Sequence, residues 1–150
     1  MHQEFFDVLH KDHEEVDEIL SQIEIATNGS TREQHMKHLM EEIIPHMRGE
    51  EAAFYSALLK HEESKSDTQE GMKEHKEAEE TLKTLRDMST RSKEWMDTFH
   101  ELREEIQHHV QEEESKIFDH ARQLLSEDQM YTIMTSFESE KERMKNRVKA

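Results

Sequence analysis

The chain has 150 residues, with 36 acidic against 20 basic side chains for a formal net charge of −16, and it contains no cysteine. Its length fits one domain around a single core. The missing thiols exclude disulfides, thiolate zinc sites and iron–sulfur clusters, and the acidic balance disfavours nucleic-acid backbones and anionic membrane surfaces as partners. One proline, three glycines, 37% charged and 32% hydrophobic residues point to long amphipathic helices with polar outer faces and not to sheet.

The first helix is predicted over about residues 3–27, on the apolar row Phe6, Leu9, His13, Val16, Leu20, Ile23, ending at Asn28-Gly29 as a left-handed C-terminal cap. Thr31 with Gln34 reads as a capping box opening the second helix. That helix is expected to reach about His61, with Pro45 kinking it one residue before His46. Its row is Leu39, Ile43, His46, Glu50, Ala53/Phe54, Ala57. Residues 62–67 read as a polar connection, with Ser66 or Asp67 capping a third helix over about 67–88 whose row is Met72, His75, Glu79, Leu82, Leu85.

After a polar break at 89–92, the fourth helix runs to about 125 on Phe99, Leu102, Ile106, His109, Glu113, Ile117, Ala121/Leu124. Ser126 with Gln129 is another capping box, opening a fifth helix over about 126–146. Met130, Ile133, Met134 and Phe137 should pack this helix along the bundle, while its charged end, beyond Glu138, should fray. Short connections make successive helices antiparallel neighbours. The expected fold is therefore all-α, an antiparallel up-down-up-down four-helix bundle with an additional C-terminal helix, forming one domain over 1–150.

Composition predicts roughly two His-x-x-x-Glu pairs by chance, whereas the chain holds seven. Residues four apart share a helix face. Only three pairs are in phase with the apolar rows: His46/Glu50, His75/Glu79 and His109/Glu113, to which the first helix adds His13. His10/Glu14, His38/Glu42, His100/Glu104 and His108/Glu112 are flanked by polar residues and read as solvated. A carboxylate placed in a buried row costs several kcal/mol unless its charge is compensated. Three such rows at similar heights call for a common compensating charge, and a pair of metal ions supplies it. With nitrogen and oxygen donors only, iron or manganese suits the set.

A carboxylate can bridge two metals where an imidazole binds one, so Glu50 and Glu113 are the natural bridging pair. His13 and His46 would complete one metal, and His75, Glu79 and His109 the other. Phe6, Phe54, Phe99 and Phe118 are expected to wall the pocket, and His10 and His120 border the rows. A ferritin-like diiron oxidase would show inward Glu-x-x-His pairs, and Glu105/His108 has that spacing but points outward.

The segments DHEEVDEIL (12–20), HMRGEEAAFYSALL (46–59), HKEAEETLKTL (75–85) and HVQEEESKIF (109–118) resemble the hemerythrin-like, HHE cation-binding domains over about residues 3–125. The resemblance implies a four-helix bundle holding two iron ions in an oxo- or hydroxo-bridged non-haem diiron centre, with His13, His46, Glu50, His75, His109 and Glu113 as ligands. Oxygen-carrying hemerythrins have a second histidine where this chain has Glu79. A carboxylate donor there would favour ferric iron, and hence redox turnover or sensing of O2, peroxide or NO over reversible O2 carriage.

The alternatives are O2 storage and an iron-responsive regulatory module acting through the charged C-terminal helix on a protein partner. Peroxide decomposition or iron oxidation are the candidate enzymatic activities. No nucleic-acid or membrane partner is expected. Neither a signal peptide nor a membrane span is legible, so a cytoplasmic monomer or small homo-oligomer is expected.

Overall fold

The computed structural model describes residues 3–149 and is helical throughout, with no strand among them. Helix α1 is Gln3–Ile25. Helix α2 starts as Gly29–Gly49, continues through a π-helical segment Glu50–Tyr55 and ends in Ser56–Leu58. Helix α3 is Glu62–Arg86. Helix α4 is Lys93–Glu112, followed by a second π-helical segment Glu113–Ile117 and by Phe118–Leu124. Helix α5 is Glu127–Lys149.

Several helix ends differ from expectation, each for a local reason. Asn28 does not close α1. It is extended and caps α2, accepting from the Thr31 amide at 2.8 Å, so the capping box at Thr31 does not form. Residues 62–67 belong to α3, because Ser64 lies inside its first turns and bonds the carbonyl of Leu58 at 2.6 Å. Helix α2 continues through Pro45 as α-helix and becomes π-helical from Glu50. The capping box at Ser126 holds as read, Ser126 and Gln129 exchanging both of its bonds, and the polar break before α4 supplies its cap, Ser92, which accepts from the Trp95 amide.

Near its start α1 places Phe5 against Phe54 late in α2, and near its end Ile23 shares a core with Met36 and Leu39 early in α2. Leu85 near the end of α3 meets Trp95 at the start of α4. The four helices therefore alternate in direction, as short connections require. Helix α5 lies against α2 and α1 along its whole length: Phe137 reaches Phe5, Lys141 reaches Asp12 and Lys145 reaches Glu42. Its charged end is docked, because those lysines face carboxylates.

Two apolar cores result. One contains Val16, Leu20, Leu39, Ile43, Leu82, Trp95, Phe99 and Ile106. The other contains Phe5, Phe6, Leu9, Phe54, Leu58, Ile117, Phe118, Met130 and Phe137. Between them every bundle helix contributes buried polar residues: Asp12, His13, His46, Glu50, His75, His109 and Glu113.

Candidate metal centre

Glu50 and Glu113, both fully buried, face each other across this polar layer. His46 and His75 bring their Nε2 atoms to 3.2 Å from Glu50 Oε1. His13 Nε2 lies 3.0 Å from Glu113 Oε1, and His109 Nε2 lies 3.4 Å from Glu113 Oε2. These approaches lack hydrogen-bond alignment for most of the atoms. His13, His46 and His75 Nε2, both Glu50 oxygens and Glu113 Oε1 are buried without a partner. Buried polar atoms are almost always satisfied, so six unpartnered donor-type atoms converging on one place mark a binding site.

The opposite face of each ring is firmly held. His13 Nδ1 donates to Glu114 at 2.6 Å, and His46, His75 and His109 donate to Asp12, Glu51 and Glu74 at 2.8 Å each. A carboxylate on the outer nitrogen fixes the ring, directs Nε2 inward and makes it a stronger ligand. None of these four carboxylates was singled out from the sequence. The signal was nonetheless present, because each stands next to a stripe residue: Asp12-His13, Glu50-Glu51, Glu74-His75 and Glu113-Glu114. The neighbour of one helix's inner residue holds the histidine of the adjoining helix.

Burial by itself would lower the affinity of these imidazoles for protons, yet the facing carboxylates reverse it. His13 is raised to about 10 by Glu113 and Glu114, and His109 to about 10 by Glu113 and Glu74. His46 is raised to about 9 by Glu50 and Asp12. Glu113 is held well below the ordinary range despite its burial, through His109 and His13. Without a cation, protons compensate the layer; a metal ion would displace them.

Two groupings of donor atoms lie within 4.8 Å of one another: His13, His46, Glu50 and Glu113, and Glu50, His75, His109 and Glu113. Both carboxylates belong to both groups. The structure does not bring Glu79 into either. Its carboxylate pairs with Arg48, which also holds Glu51 at 2.8 Å. The buried stripe of α3 runs Thr68, Gly71, His75, Ala78, Leu82, Leu85, so its small residues carry the phase. Met72 and Glu79 lie one residue around the helix. Gly71 marks a close approach there, since a Cβ would meet Ile117 at 3.0 Å and the Tyr55 hydroxyl at 3.4 Å.

Tyr55, unassigned from the sequence, is fully buried and donates its hydroxyl to Glu113, with His109 Nε2 3.2 Å away. Burial, then the charges of Glu113 and Glu50, push its phenol well above 10, so the proton stays on oxygen. The expected phenylalanine walls are not at the site: Phe6 stacks on Phe118 at 4.5 Å and Phe99 on Trp95 at 5.7 Å. A cavity of about 30 Å³ beside the histidines is lined instead by Val16, Ile43, Met47, Ala78 and Ile106. His10 and His108 are exposed, but they bond Glu114 and Glu74, whereas His120 pairs with Asp67.

A helical bundle with buried His/Glu groups of this kind belongs to the cation-binding class of bundles. The chain is a member of the hemerythrin family: the model of the hemerythrin HHE cation-binding domain matches residues 4–121. It is 27% identical over 137 residues to an uncharacterized hemerythrin-like protein of Schizosaccharomyces pombe, covering 90% of this chain and 68% of that one. It is 24% identical over 142 residues to a DNA nickase of Nostoc sp., covering 95% of this chain and 40% of that protein. The chain thus spans two fifths of the nickase's length. No solved structure matches. No helix among the described residues is long and apolar enough to cross a membrane.

Proposed function

We propose that the polar layer holds two iron ions and that the loaded protein reacts with or senses a small ligand such as O2, peroxide or NO. His13 and His46 would hold one ion and His75 and His109 the other, with Glu50 and Glu113 shared. The observation that carries this reading is the convergence of unpartnered buried Nε2 and carboxylate oxygens from four helices. Iron bound there would supply a redox change and a position for an external ligand.

The chain's own groups do the rest. Asp12, Glu51, Glu74 and Glu114 orient the imidazoles. The aliphatic cavity, about 30 Å³, has the size for a small ligand of a few atoms. Tyr55 keeps an O–H at Glu113. With Glu79 on Arg48, the preference for turnover over reversible carriage rests on donor count alone. Each group offers two imidazoles and two carboxylates, and position 79 supplies no further neutral donor.

The activity named for the Nostoc relative is not extended to this chain, whose net charge of −16 opposes a nucleic-acid backbone. The test is metal analysis with absorption spectra under air, after dithionite and after peroxide. About two iron atoms per chain are expected. His109→Ala and Glu113→Ala should lose iron, while His100→Ala, on an exposed out-of-phase pair, should keep it. Equal loss in all three variants would sink the reading, and peroxide consumption by the loaded protein would separate turnover from carriage.

A further inference from the structure

His13, His75 and His109 have their outer nitrogens held by Glu114, Glu51 and Glu74, all on bundle helices. His46 is different. Its carboxylate, Asp12, is itself bound through both oxygens by Lys141 of α5 at 2.8 Å. One turn earlier on the same face of α5, the Phe137 ring packs edge-on against the His46 ring at 5.6 Å. Phe137 also fills the space over Gly49, where a Cβ would lie 2.9 Å from its ring.

The anchoring of α5 is uneven. Met130, Ile133, Met134 and Phe137 are buried, whereas no residue from 138 to 148 is. The second half of the helix is held by polar ties, Lys141 to Asp12 and Lys145 to Glu42 at 3.3 Å. A segment with little buried apolar surface opens more readily than the core. Helix α5 also lies beyond the family match, which ends at residue 121.

We propose that α5 is a positioning element for the metal held by His13 and His46, acting through Lys141 and Phe137, so that docking of its second half and filling of that position are coupled. The inference rests on the metal reading above. An ion on His46 Nε2 fixes the ring against which Phe137 packs and, through Nδ1, the carboxylate that Lys141 grips. By reciprocity, a docked α5 favours the ion. The position on His75 and His109 lacks this tie and should be indifferent to α5.

The test uses the chain with Lys141→Met, the conservative Lys141→Arg, and Lys145→Met, which removes the other α5 tie without reaching the site. Iron release to a chelator and amide hydrogen exchange of residues 138–149 are measured in iron-loaded and iron-free protein. In Lys141→Met one of the two ions should leave roughly tenfold faster, with Lys141→Arg restoring the rate and Lys145→Met leaving it unchanged. Iron loading should slow exchange in this segment of the unmutated chain, and Lys141→Met should abolish the difference.

Exchange indifferent to iron, or equal release from Lys141→Met and Lys145→Met, would overturn the proposal. If the unmutated chain takes up no iron, the metal reading fails by itself. The tie to His46 is then read in the metal-free chain with Asp12→Asn. Faster exchange of 138–149 supports it, and unchanged exchange overturns it.

Discussion

Removing the metal should make the fold sensitive to alkali in a range where most proteins are indifferent. In the metal-free chain His13, His46 and His109 hold their protons up to about 10, 9 and 10, against 6.5 when unfolded. Because the folded values are raised, the stabilisation is fully present below pH 6.5. It declines as pH rises and is gone once pH passes about 10. A rise from 6.5 to between 9 and 10 corresponds to about 3–5 kcal/mol for one histidine.

The three imidazoles share Glu50 and Glu113, so their contributions do not add, and one such amount is taken for the layer. For a chain of this size that is a fall in Tm on the order of 10 °C between pH 6.5 and 10. Circular-dichroism melts of chelated and iron-loaded protein across this range provide the assay. The loaded protein should lose much less, since ligated imidazoles are already neutral at Nε2. Parallel losses in both forms would refute the argument that protons and metal compensate the same carboxylates.

Glu79→Gln should leave iron content unchanged and cost under about 1 kcal/mol, because it weakens only a partly exposed pair with Arg48; loss of iron by metal analysis would return Glu79 to the centre. Gly49→Ala should lower stability by about 1–3 kcal/mol in urea unfolding, since the new methyl meets the Phe137 ring at 2.9 Å and its carbonyl at 3.2 Å. An unchanged midpoint would mean that α5 does not seat closely on α2.

The sequence made the bundle legible because apolar periodicity and short connections are local. It also made six of the inner residues legible, because histidine and glutamate in phase with Leu39, Ile43, Leu102 and Ile106 have no inexpensive explanation. It misplaced Glu79 because large residues were weighed above small ones: Gly71 and Ala78 define the inner face of α3, where helices come close, while Met72 is exposed. The outer carboxylates escaped because a hydrogen bond from His13 to Glu114 joins residues 101 apart. Only the packed bundle shows that the neighbour of an inner residue faces the next helix. The docking of α5 escaped for a related reason: Lys141 and Lys145 look like solvated charge until Asp12 and Glu42 are placed opposite them.

The two π-helical segments explain a spacing that a regular helix cannot accommodate. In α4 the inward residues are His109, Glu113, Ile117 and Ala121, each four apart, and in α2 they are His46, Glu50, Phe54 and Leu58. A regular helix turns about 100° per residue, so each step of four overshoots by about 40°. Leu58 would then face about 120° away from His46, and Ala121 about 120° away from His109. Widening the turn that starts at Glu50 and at Glu113 absorbs the excess and returns Phe54 and Ile117 to the second core, with adjacent Tyr55 and Phe118 buried beside them. π-helical turns recur at functional sites, and the reason here is geometric. Each helix must present a His/Glu pair four apart to the centre and still continue with an apolar face beneath it, and the extra residue reconciles the two.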